Sequence, residues 1–381
     1  MSDYVQLLQG LRQLVGFETV TGNHAQVGSC YDSIVSQIQS PRLYINRYSS
    51  NGYESLVIST QDTKHPKVLL QSHIDVVPAY PEQFQLVQKE GKLFGRGVYD
   101  MKYAAACFVH LLEDMGPAAQ QYDFAVMLTA DEEVNGLNGV DYLLNQGYGA
   151  DVCILPDSGD EWNIEASSKG FATAEILVSG KSAHGSRPWE GDNAAVKLVD
   201  ILTLLGEQFP YTAPLDTTCT LTRFDAGPAY NQIPGEATAT FDIRYPDEAS
   251  YASFKKHFQA FCEKHTVKAV FTAQAAAIQH DVDSPLLEVW QSVTEQITGK
   301  APGYTHSFAA SDARYLVPRG ITTISARPKG GGHHGPNEWI SEKEFYQYYE
   351  VVKKFVTIVA AVDLDSKYTH EPGNRSVQVD A

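Results

Sequence analysis

Continuous apolar runs, separated by amphipathic stretches, set the pattern of this chain. Short runs of the kind buried in parallel sheets occur at residues 68–70 (VLL), 124–129 (FAVMLT) and 150–155 (ADVCIL). Stretches with helical periodicity occur at residues 104–115 (AAACFVHLLEDM) and, near the end, at 341–363. Strands and helices in this arrangement predict an α/β fold built on a largely parallel sheet.

Residues 167–277 follow a different pattern. Their segments read strand, helix, strand, strand, helix, strand: FATAEILVSG, NAAVKLVDILTLLGEQF, CTLTRFDAG, EATATFDIRY, SYASFKKHFQAFCEKH and VKAVFTA. This β-α-β-β-α-β order predicts a ferredoxin-like unit. We therefore predict a main domain formed by residues 1–166 and 278–381, and a second domain, residues 167–277, inserted into it. The polar tail from Asp365 is predicted to be loosely ordered.

The chain begins with an amphipathic helix. One face of this helix carries the apolar side chains of Val5, Leu7, Leu8, Leu11, Leu14 and Val15. The start has neither a basic region nor a cleavable apolar block, and no apolar run reaches the roughly 20 residues that a membrane-spanning helix requires. These features predict a cytosolic protein.

Composition excludes some classes of partner. The 381 residues, 43% of them hydrophobic, can bury a large core, and the length favours more than one domain. A formal net charge of −17 would repel nucleic acid and anionic membranes, so neither is an expected partner. The five cysteines, at positions 30, 107, 153, 219 and 262, are scattered and mostly lie in apolar segments. They predict buried free thiols rather than a disulfide framework.

A histidine and an aspartate lie at the end of the first apolar run, in QSHIDVVP. Residues i and i+2 of a strand point the same way. His73 can therefore bind a metal ion while Asp75 stands behind it and orients the imidazole. A surface histidine beside a turn aspartate is the alternative for an isolated H-x-D pair, but the carboxylates that follow favour the metal.

Two further groups of carboxylates follow along the chain. The glycine-flanked loop GRGVYDMK places Asp100 at the start of a helix, where an ordinary helix cap is the alternative. The second apolar run ends in Asp131, Glu132 and Glu133, which repel one another unless they are solvated or neutralised by cations. Adjacent glutamates can also divide their roles, one binding a metal ion while the other transfers a proton.

The remaining candidate ligands lie after the third apolar run and in a glycine-rich loop. The run at 150–155 leads to Asp157, and ligands collect beyond the carboxyl ends of strands in an open α/β sheet. The segment GGGHHGPNEW adds His333 and His334. Carboxylates combined with imidazoles suit zinc, with cobalt or manganese as substitutes. The set contains no thiolate, which argues against a structural zinc site.

Seven motifs, in order, resemble a known family. They are QSHIDVVP, GRGVYDMK, TADEE, LPDSG, GKSAHGSRP, GPAYNQIPGEATATFDIR and GGHHGPNE, and they span essentially the whole chain. The chain resembles the co-catalytic zinc metallohydrolases and metallopeptidases, which include carboxypeptidase G, aminoacylase, acetylornithine deacetylase and succinyl-diaminopimelate desuccinylase. This resemblance implies a zinc-peptidase-like α/β/α catalytic domain, with the inserted ferredoxin-like domain serving in dimerisation.

The resemblance also implies a ligand set for two zinc ions. Asp100 would bridge the two ions. His73 and Asp157 would complete one site, and Glu133 and His334 the other. Each ion would thus share one bridging carboxylate and have two ligands of its own.

The same resemblance implies that Glu132 is the general base. Two positions depart from the pattern, since many relatives have glutamate at the position of Asp157 and glycine at the position of Tyr103. Aspartate at position 157 occurs among the dipeptidase and tripeptidase branches. The substrate can therefore be either a simple acyl amino acid or a small peptide.

Three residues of the inserted domain are further candidates. His184, in GKSAHGSRP, would donate to the developing oxyanion from the partner subunit of a homodimer, as the resemblance implies. Asn231 and Arg244 resemble substrate contacts, and Arg244 is suited to a bidentate grip on a terminal carboxylate. A solvated turn histidine is the alternative for His184, and a strand-edge salt bridge is the alternative for Arg244.

The function predicted from the sequence is that of a di-zinc amidohydrolase that cleaves the amide bond of an N-acyl amino acid. Water activated by the two metal ions would attack the carbonyl, with Glu132 as the general base. A metallo-dipeptidase or carboxypeptidase with the same site is the first alternative. A non-catalytic, metal-stabilised binding protein is the second, but such a protein has no physical need for Glu132 beside Glu133.

Overall fold

The computed structural model describes residues 2–38, 42–210 and 215–362, and the chain divides into two compact units. The first unit comprises Met1–Asp157, Asp283–Pro302 and Ile321–Ala381. The second comprises Ser158–Val282 and Gly303–Gly320. The predicted loosely ordered tail from Asp365 lies outside the described residues.

Helices and strands are interspersed along the described part of the chain. The helices are α1 (Ser2–Gly16), α2 (His24–Gln37), α3 (Lys102–Met115), α4 (Val140–Asn145), α5 (Ala194–Gln208), α6 (Glu248–Lys264), α7 (Pro285–Thr298), α8 (Ala313–Leu316) and α9 (Glu342–Val359). The strands are β1 (Tyr44–Ser50), β2 (Tyr53–Ser59), β3 (Val68–His73), β4 (Val87–Lys89), β5 (Lys92–Phe94), β6 (Phe124–Thr129), β7 (Val152–Ile154), β8 (Ile164–Ser168), β9 (Gly170–Ser179), β10 (Ala183–His184), β11 (Thr218–Ala226), β12 (Gln232–Ile233), β13 (Glu236–Tyr245), β14 (Lys268–Ala275), β15 (Ile278–Gln279), β16 (Tyr304–Ser307), β17 (Thr322–Ile324), β18 (Gly330–Gly331) and β19 (Trp339–Ser341).

A six-stranded sheet forms the centre of the first unit. Its strand order is β1-β2-β6-β3-β7-β17, and β6, β3, β7 and β17 run parallel. Every residue of β3 and of β6 is buried, including the polar Gln71, Ser72 and His73 that follow the apolar run of β3. Helix α2 packs against β2, and α3 packs against β3. Because the parallel strands share one direction, the segments that follow β3, β6 and β7 leave the sheet at the same edge.

A second, smaller sheet in the first unit brings two distant loops together. Its order is β18-β19-β5-β4, and Trp339 of β19 is paired with Phe94 of β5. The loop after β5 contains Asp100, and the loop between β18 and β19 contains His334. Pairing of β19 with β5 therefore places these two loops side by side.

A four-stranded antiparallel sheet forms the second unit's core together with α5 and α6. Its strand order is β11-β13-β9-β14. Helix α5 contacts β9 and β13, and α6 contacts β13 and β14. This topology is the predicted ferredoxin-like one. A two-stranded pair, β10 and β12, extends from it.

The second unit extends beyond residues 167–277 on both sides. Strand β8 pairs with β15 in antiparallel fashion and with β16 in parallel fashion, forming a three-stranded sheet. Residues 303–320, which contain β16, therefore group with the second unit. Strand pairing between such distant segments leaves no mark in the local hydrophobic pattern.

Helix α1 confirms most of the predicted apolar face. Leu7, Leu11, Leu14 and Val15 are buried, but Val5 is 65% exposed, so its assignment to the packed face was wrong. With about 3.6 residues per turn, Val5 lies on the opposite side of the helix from the buried Leu7 and Leu14. Four of the five cysteines are buried, Cys219 is partly buried, and all five are free thiols, as predicted. Among the described helices, none has both the length and the apolar composition needed to cross a bilayer.

Candidate metal centre

His73, the last residue of β3, is held in one orientation. Its Nδ1 lies 3.0 Å from the backbone oxygen of Asp75 and 3.4 Å from Oδ1 of the same residue. A carbonyl oxygen can only accept, so Nδ1 is the donor in this contact. When the ring is neutral, Nε2 therefore carries a lone pair and can bind a metal ion.

The Asp75 carboxylate also orders the loop that carries the two glutamates. It accepts hydrogen bonds from the backbone N–H of Glu132 and of Glu133, each at 3.3 Å. Thr21 donates its hydroxyl to the same carboxylate at 2.9 Å. Asp75 is fully buried, and it connects the end of β3 with the loop after β6. The sequence indicated its role behind His73 but not this second one.

Two groups of ligand-type side chains lie at the carboxyl edge of the sheet. The potential ligand atoms of His73, Glu132 and Asp157 lie within 4.8 Å of one another, and so do those of Asp100, Glu133 and His334. We call them the His73 group and the His334 group. These two groups contain all five residues of the ligand set that the family resemblance implied, together with Glu132.

Asp100 presents one carboxylate oxygen to each group. Its Oδ1 lies 3.3 Å from Nε2 of His73, and its Oδ2 lies 3.2 Å from Nε2 of His334. The same nitrogen of His334 lies 3.2 Å from Oε2 of Glu133. Nε2 of His73 lies 3.8 Å from Oδ1 of Asp157. A carboxylate in this position can bridge two cations.

The charges of the two groups fit divalent cations. Burial lowers the pKa of His73, but hydrogen bonds to the carboxylates of Asp100 and Asp157 outweigh it, so the net pKa lies well above the ordinary value. Hydrogen bonds to Asp100 and Glu133 raise the pKa of His334 to about 10. The positive charges of the two protonated imidazoles thus balance the negative charges of the surrounding carboxylates. Divalent cations can provide the same balance, and mixed oxygen and nitrogen donors suit zinc, cobalt or manganese.

The backbone of the glycine-rich loop turns His334 toward Asp100. Gly332 has a φ of +73°, and a Cβ at this position would lie 2.5 Å from the backbone oxygen of Asn337. His334 itself has a φ of +62°. Non-glycine residues in this region cost free energy and concentrate at functional sites. His333, the other histidine of the pair, contacts the ring of Tyr99 instead.

Glu338 fixes the Asp100 loop, a role that was not predicted from the sequence. Its Oε1 accepts the backbone N–H of Tyr99 at 2.8 Å and of Asp100 at 3.0 Å. Its Oε2 accepts the backbone N–H of Gly97 at 2.9 Å and an N–H of the Arg96 guanidinium at 2.8 Å. The Glu338 side chain is fully buried. The signal available in the sequence was its place at the end of the motif GGHHGPNE, four residues after His334.

His184 and Asn231 lie together in the second unit. Gly185 donates its backbone N–H to the backbone oxygen of Asn231 at 2.7 Å. Nδ1 of the exposed His184 accepts the backbone N–H of Ser186 at 3.2 Å. Because a backbone N–H can only donate, the neutral ring carries its proton on Nε2. His184 can therefore donate a hydrogen bond from Nε2.

Arg244 forms an ion pair within its own strand. Its Nε and Nη2 donate to Asp242 at 2.8 and 3.0 Å, and its guanidinium lies 4.6 Å from the ring centroid of Phe171. This is the salt bridge that the sequence left open as the alternative. A grip on a substrate carboxylate would require Arg244 to exchange Asp242 for the substrate.

Comparison with known proteins gives matches over nearly the whole chain. The model of peptidase family M20/M25/M40 matches residues 69–358. Succinyl-diaminopimelate desuccinylase of Sulfurovum sp. (strain NBC37-1) is 24% identical over 91% of this chain and 97% of its own. The enzyme of the same name from Halorhodospira halophila is 28% identical over 73% of this chain and 79% of its own.

Solved structures with the same fold include two peptidases. A tripeptidase from Staphylococcus aureus superimposes with a TM-score of 0.76 at 20% identity, covering 93% of this chain and 98% of that one. An M20 family metallo-carboxypeptidase from Sulfolobus solfataricus has a TM-score of 0.76 at 16% identity, covering 93% of this chain and 99% of that one. At these identities the similarity establishes the fold alone.

Proposed function

This chain belongs to peptidase family M20/M25/M40, whose members hydrolyse amide bonds, and from this premise we propose that it is a di-zinc deacylase of N-acyl amino acids. The family predicted from the seven motifs is thereby confirmed, as is the α/β fold class. The observation that carries the proposal is the position of Asp100, which faces His73 with one oxygen and His334 with the other.

Five side chains of the first unit would hold the two zinc ions. Asp100 would bridge them, with His73 and Asp157 on one side and Glu133 and His334 on the other. Such ions supply Lewis acidity toward a carbonyl oxygen and lower the pKa of water. Cobalt or manganese could substitute because the donors are the same.

Glu132 would act as the general base. Its backbone N–H is held by Asp75, and its carboxylate lies beside the ligand atoms of His73 and Asp157. From this position the carboxylate would take a proton from the attacking water and return it to the leaving amine. No covalent intermediate with the protein is required.

The substrate proposal rests on the curated relatives. Proteins named succinyl-diaminopimelate desuccinylase match most of this chain at 24–28% identity. Their name describes removal of a succinyl group from an amino acid. The tripeptidase and the carboxypeptidase share the fold, so a small peptide is the second candidate substrate. A non-catalytic protein that binds metal ions through the same two groups is the third interpretation.

A substrate panel tests these alternatives. We expect the zinc-loaded protein to hydrolyse N-succinyl or N-acetyl amino acids faster than dipeptides and tripeptides, and a chelator to abolish the activity. Release of free amine is measured by ninhydrin with and without chelator, and zinc is added back as the control. Faster cleavage of peptides would favour the peptidase, whereas no turnover with any substrate would favour the binding protein.

A homodimer in which His184 reaches the partner's metal centre is part of the same proposal. The second unit has exposed apolar side chains on α5, where Val196 is 58% and Val199 is 54% exposed. Strand β11 lies at the edge of the sheet and exposes Leu221 and Phe224. Edge strands and exposed apolar groups favour association, and two copies can associate through one self-complementary surface. These surfaces support a dimer formed through the second unit.

Mixing two inactive variants tests delivery of His184 by the partner. Oxyanion donors contribute about 3 kcal/mol to the transition state, so His184→Ala should lower kcat by roughly a hundredfold with metal content unchanged. Glu132→Gln should be comparably inactive. After subunit exchange, a mixed dimer has one site with intact Glu132 and an intact partner His184, so we expect activity to return.

Each variant incubated alone under the same conditions is the control for this experiment. Subunit exchange is verified independently with differently tagged chains. If exchange occurs and the mixture stays inactive, His184 does not act across the dimer. Full activity of a monomer would contradict the proposal in the same way.

A further inference from the structure

Tyr103 connects the start of α3 with the segment that carries Asp157. Its side chain is fully buried, three residues after Asp100. Its hydroxyl donates a hydrogen bond of 3.0 Å to the backbone oxygen of Pro156. Strand β7 ends at Ile154, so Pro156 lies outside the sheet. A proline has no N–H to donate, and its carbonyl is therefore the backbone group through which Pro156 can be held.

The residues on either side of Pro156 are anchored as well. Leu155 donates its backbone N–H to the backbone oxygen of Ile324 in β17 at 3.0 Å. An N–H of Arg327 donates to the backbone oxygen of Asp157 at 3.2 Å. Each of the three consecutive residues that end at the proposed ligand thus has a backbone hydrogen bond to another part of the first unit. They are Leu155, Pro156 and Asp157. Tyr103 provides the central hydrogen bond.

Rings stacked against each other make Tyr103 a rigid anchor. The ring of Tyr99 stacks on that of Tyr103, with centroids 6.5 Å apart and planes inclined by 20°. The Arg327 guanidinium lies over the Tyr99 ring, 4.5 Å from its centroid. Tyr348 packs edge-on against Tyr103, with centroids 5.2 Å apart. The hydroxyl therefore has little freedom to follow a displaced carbonyl.

Asp157 depends on such anchoring because its side chain is short. An aspartate has only two side-chain torsions, so its carboxylate follows the backbone closely. Its Oδ1 lies 3.8 Å from Nε2 of His73, and a small backbone shift would change that separation directly. The His334 group is held by other contacts. Glu338 holds the Asp100 loop, Asp75 holds the backbone of Glu133, and the glycine-rich loop carries His334. None of these contacts involves Pro156.

We propose that Tyr103 is a positioning residue for Asp157. Through its hydrogen bond to the Pro156 carbonyl, the Tyr103 hydroxyl sets the zinc affinity of the His73 group but not that of the His334 group. This inference rests on the proposed role of Asp157 as a zinc ligand. Residues that orient metal ligands typically contribute about tenfold or more to metal affinity.

The test is zinc titration of the metal-free Tyr103→Phe variant by calorimetry. Phenylalanine keeps the ring and removes only the hydroxyl. We expect two binding steps in the unmodified protein, of which Asp157→Ala removes or weakens the one that belongs to the His73 group. In Tyr103→Phe that same step should weaken by about tenfold, and the other should stay unchanged.

Tyr31→Phe is the matched control. Tyr31 is also fully buried in the first unit, and its hydroxyl donates to the backbone oxygen of Leu128 at 3.0 Å, with that of Glu54 a longer second acceptor at 3.4 Å. Each variant loses one buried hydroxyl-to-carbonyl bond, so urea unfolding of the metal-free proteins should show similar losses of stability. Only Tyr103→Phe should change zinc binding.

The outcomes separate this inference from the proposed function. If Tyr103→Phe binds zinc as Tyr31→Phe does, or loses affinity equally at both steps, the positioning role is overturned while the zinc site stands. If Asp157→Ala changes neither step, Asp157 is not a ligand, and both the proposed site and the role of Tyr103 fall.

Discussion

Replacing Glu132 by glutamine is expected to lower kcat by about a hundredfold or more, the usual scale for loss of a general base, while both zinc ions stay bound. Glutamine has the same shape, but its amide cannot take a proton from water. The backbone N–H of residue 132 would still donate to Asp75, so the loop should keep its position. Steady-state kinetics and metal analysis of the same preparation measure the two quantities.

The neighbouring glutamate provides the contrast for this experiment. Glu133→Gln removes a charge 3.2 Å from Nε2 of His334 and should weaken zinc binding at the His334 group. Two adjacent substitutions of the same kind would then have different effects, one on chemistry and one on metal content. A Glu132→Gln variant with near-normal kcat would place the base elsewhere. One that loses an ion would make Glu132 a ligand, as its distance to His73 and Asp157 permits.

The sequence was sufficient to place the polar residues that follow the buried parallel strands, because their positions follow from the strand ends. The buried strands β3, β6 and β7 are continuous apolar runs, and the polar residues after them have to meet at one edge of a parallel sheet. His73 and Asp157 follow directly from this rule. Asp100 and His334 do not lie at the ends of these strands. Their proximity depends on the pairing of β19 with β5, and only the resemblance to a family indicated it.

The anchoring residues could not be predicted because burial and backbone contacts leave no local pattern. Glu338 looks like any glutamate of a polar loop, yet its side chain is fully buried and accepts four hydrogen bonds from residues 96–100. Tyr103 looks like one more apolar position of α3, although its hydroxyl holds Pro156. Partners more than 50 residues away in the chain decide both roles.

For Arg244 the structure adds a nearer partner to the predicted substrate contact, which stays a prediction. A guanidinium is suited to bind a carboxylate in bidentate fashion. Asp242, two residues earlier on the same strand and therefore on the same face, occupies it. The spacing of the two residues in FDIRY contained this information. Local pairing therefore has to be weighed before a strand arginine is assigned to a substrate.

Asp100→Ala is expected to empty both metal sites rather than one. One oxygen of Asp100 faces His73 and the other faces His334. Without this carboxylate, each proposed ion would keep only two of its three protein ligands. Zinc in two-metal sites lies about 3.5–4 Å apart, and the bridging carboxylate also offsets the repulsion between the cations. The variant should therefore lose both ions on dialysis, and its activity with them.

Metal content per chain, measured by plasma emission spectrometry after dialysis, is the readout for this prediction. The controls are Asp157→Ala and Glu133→Ala, each of which removes a ligand from one group only and should leave about one ion per chain at the intact group. A melting curve of the metal-free proteins checks that Asp100→Ala remains folded. If the folded variant retains two ions, Asp100 does not bridge. If it retains one, the carboxylate belongs to a single site, and the symmetric contacts of its two oxygens do not reflect metal binding.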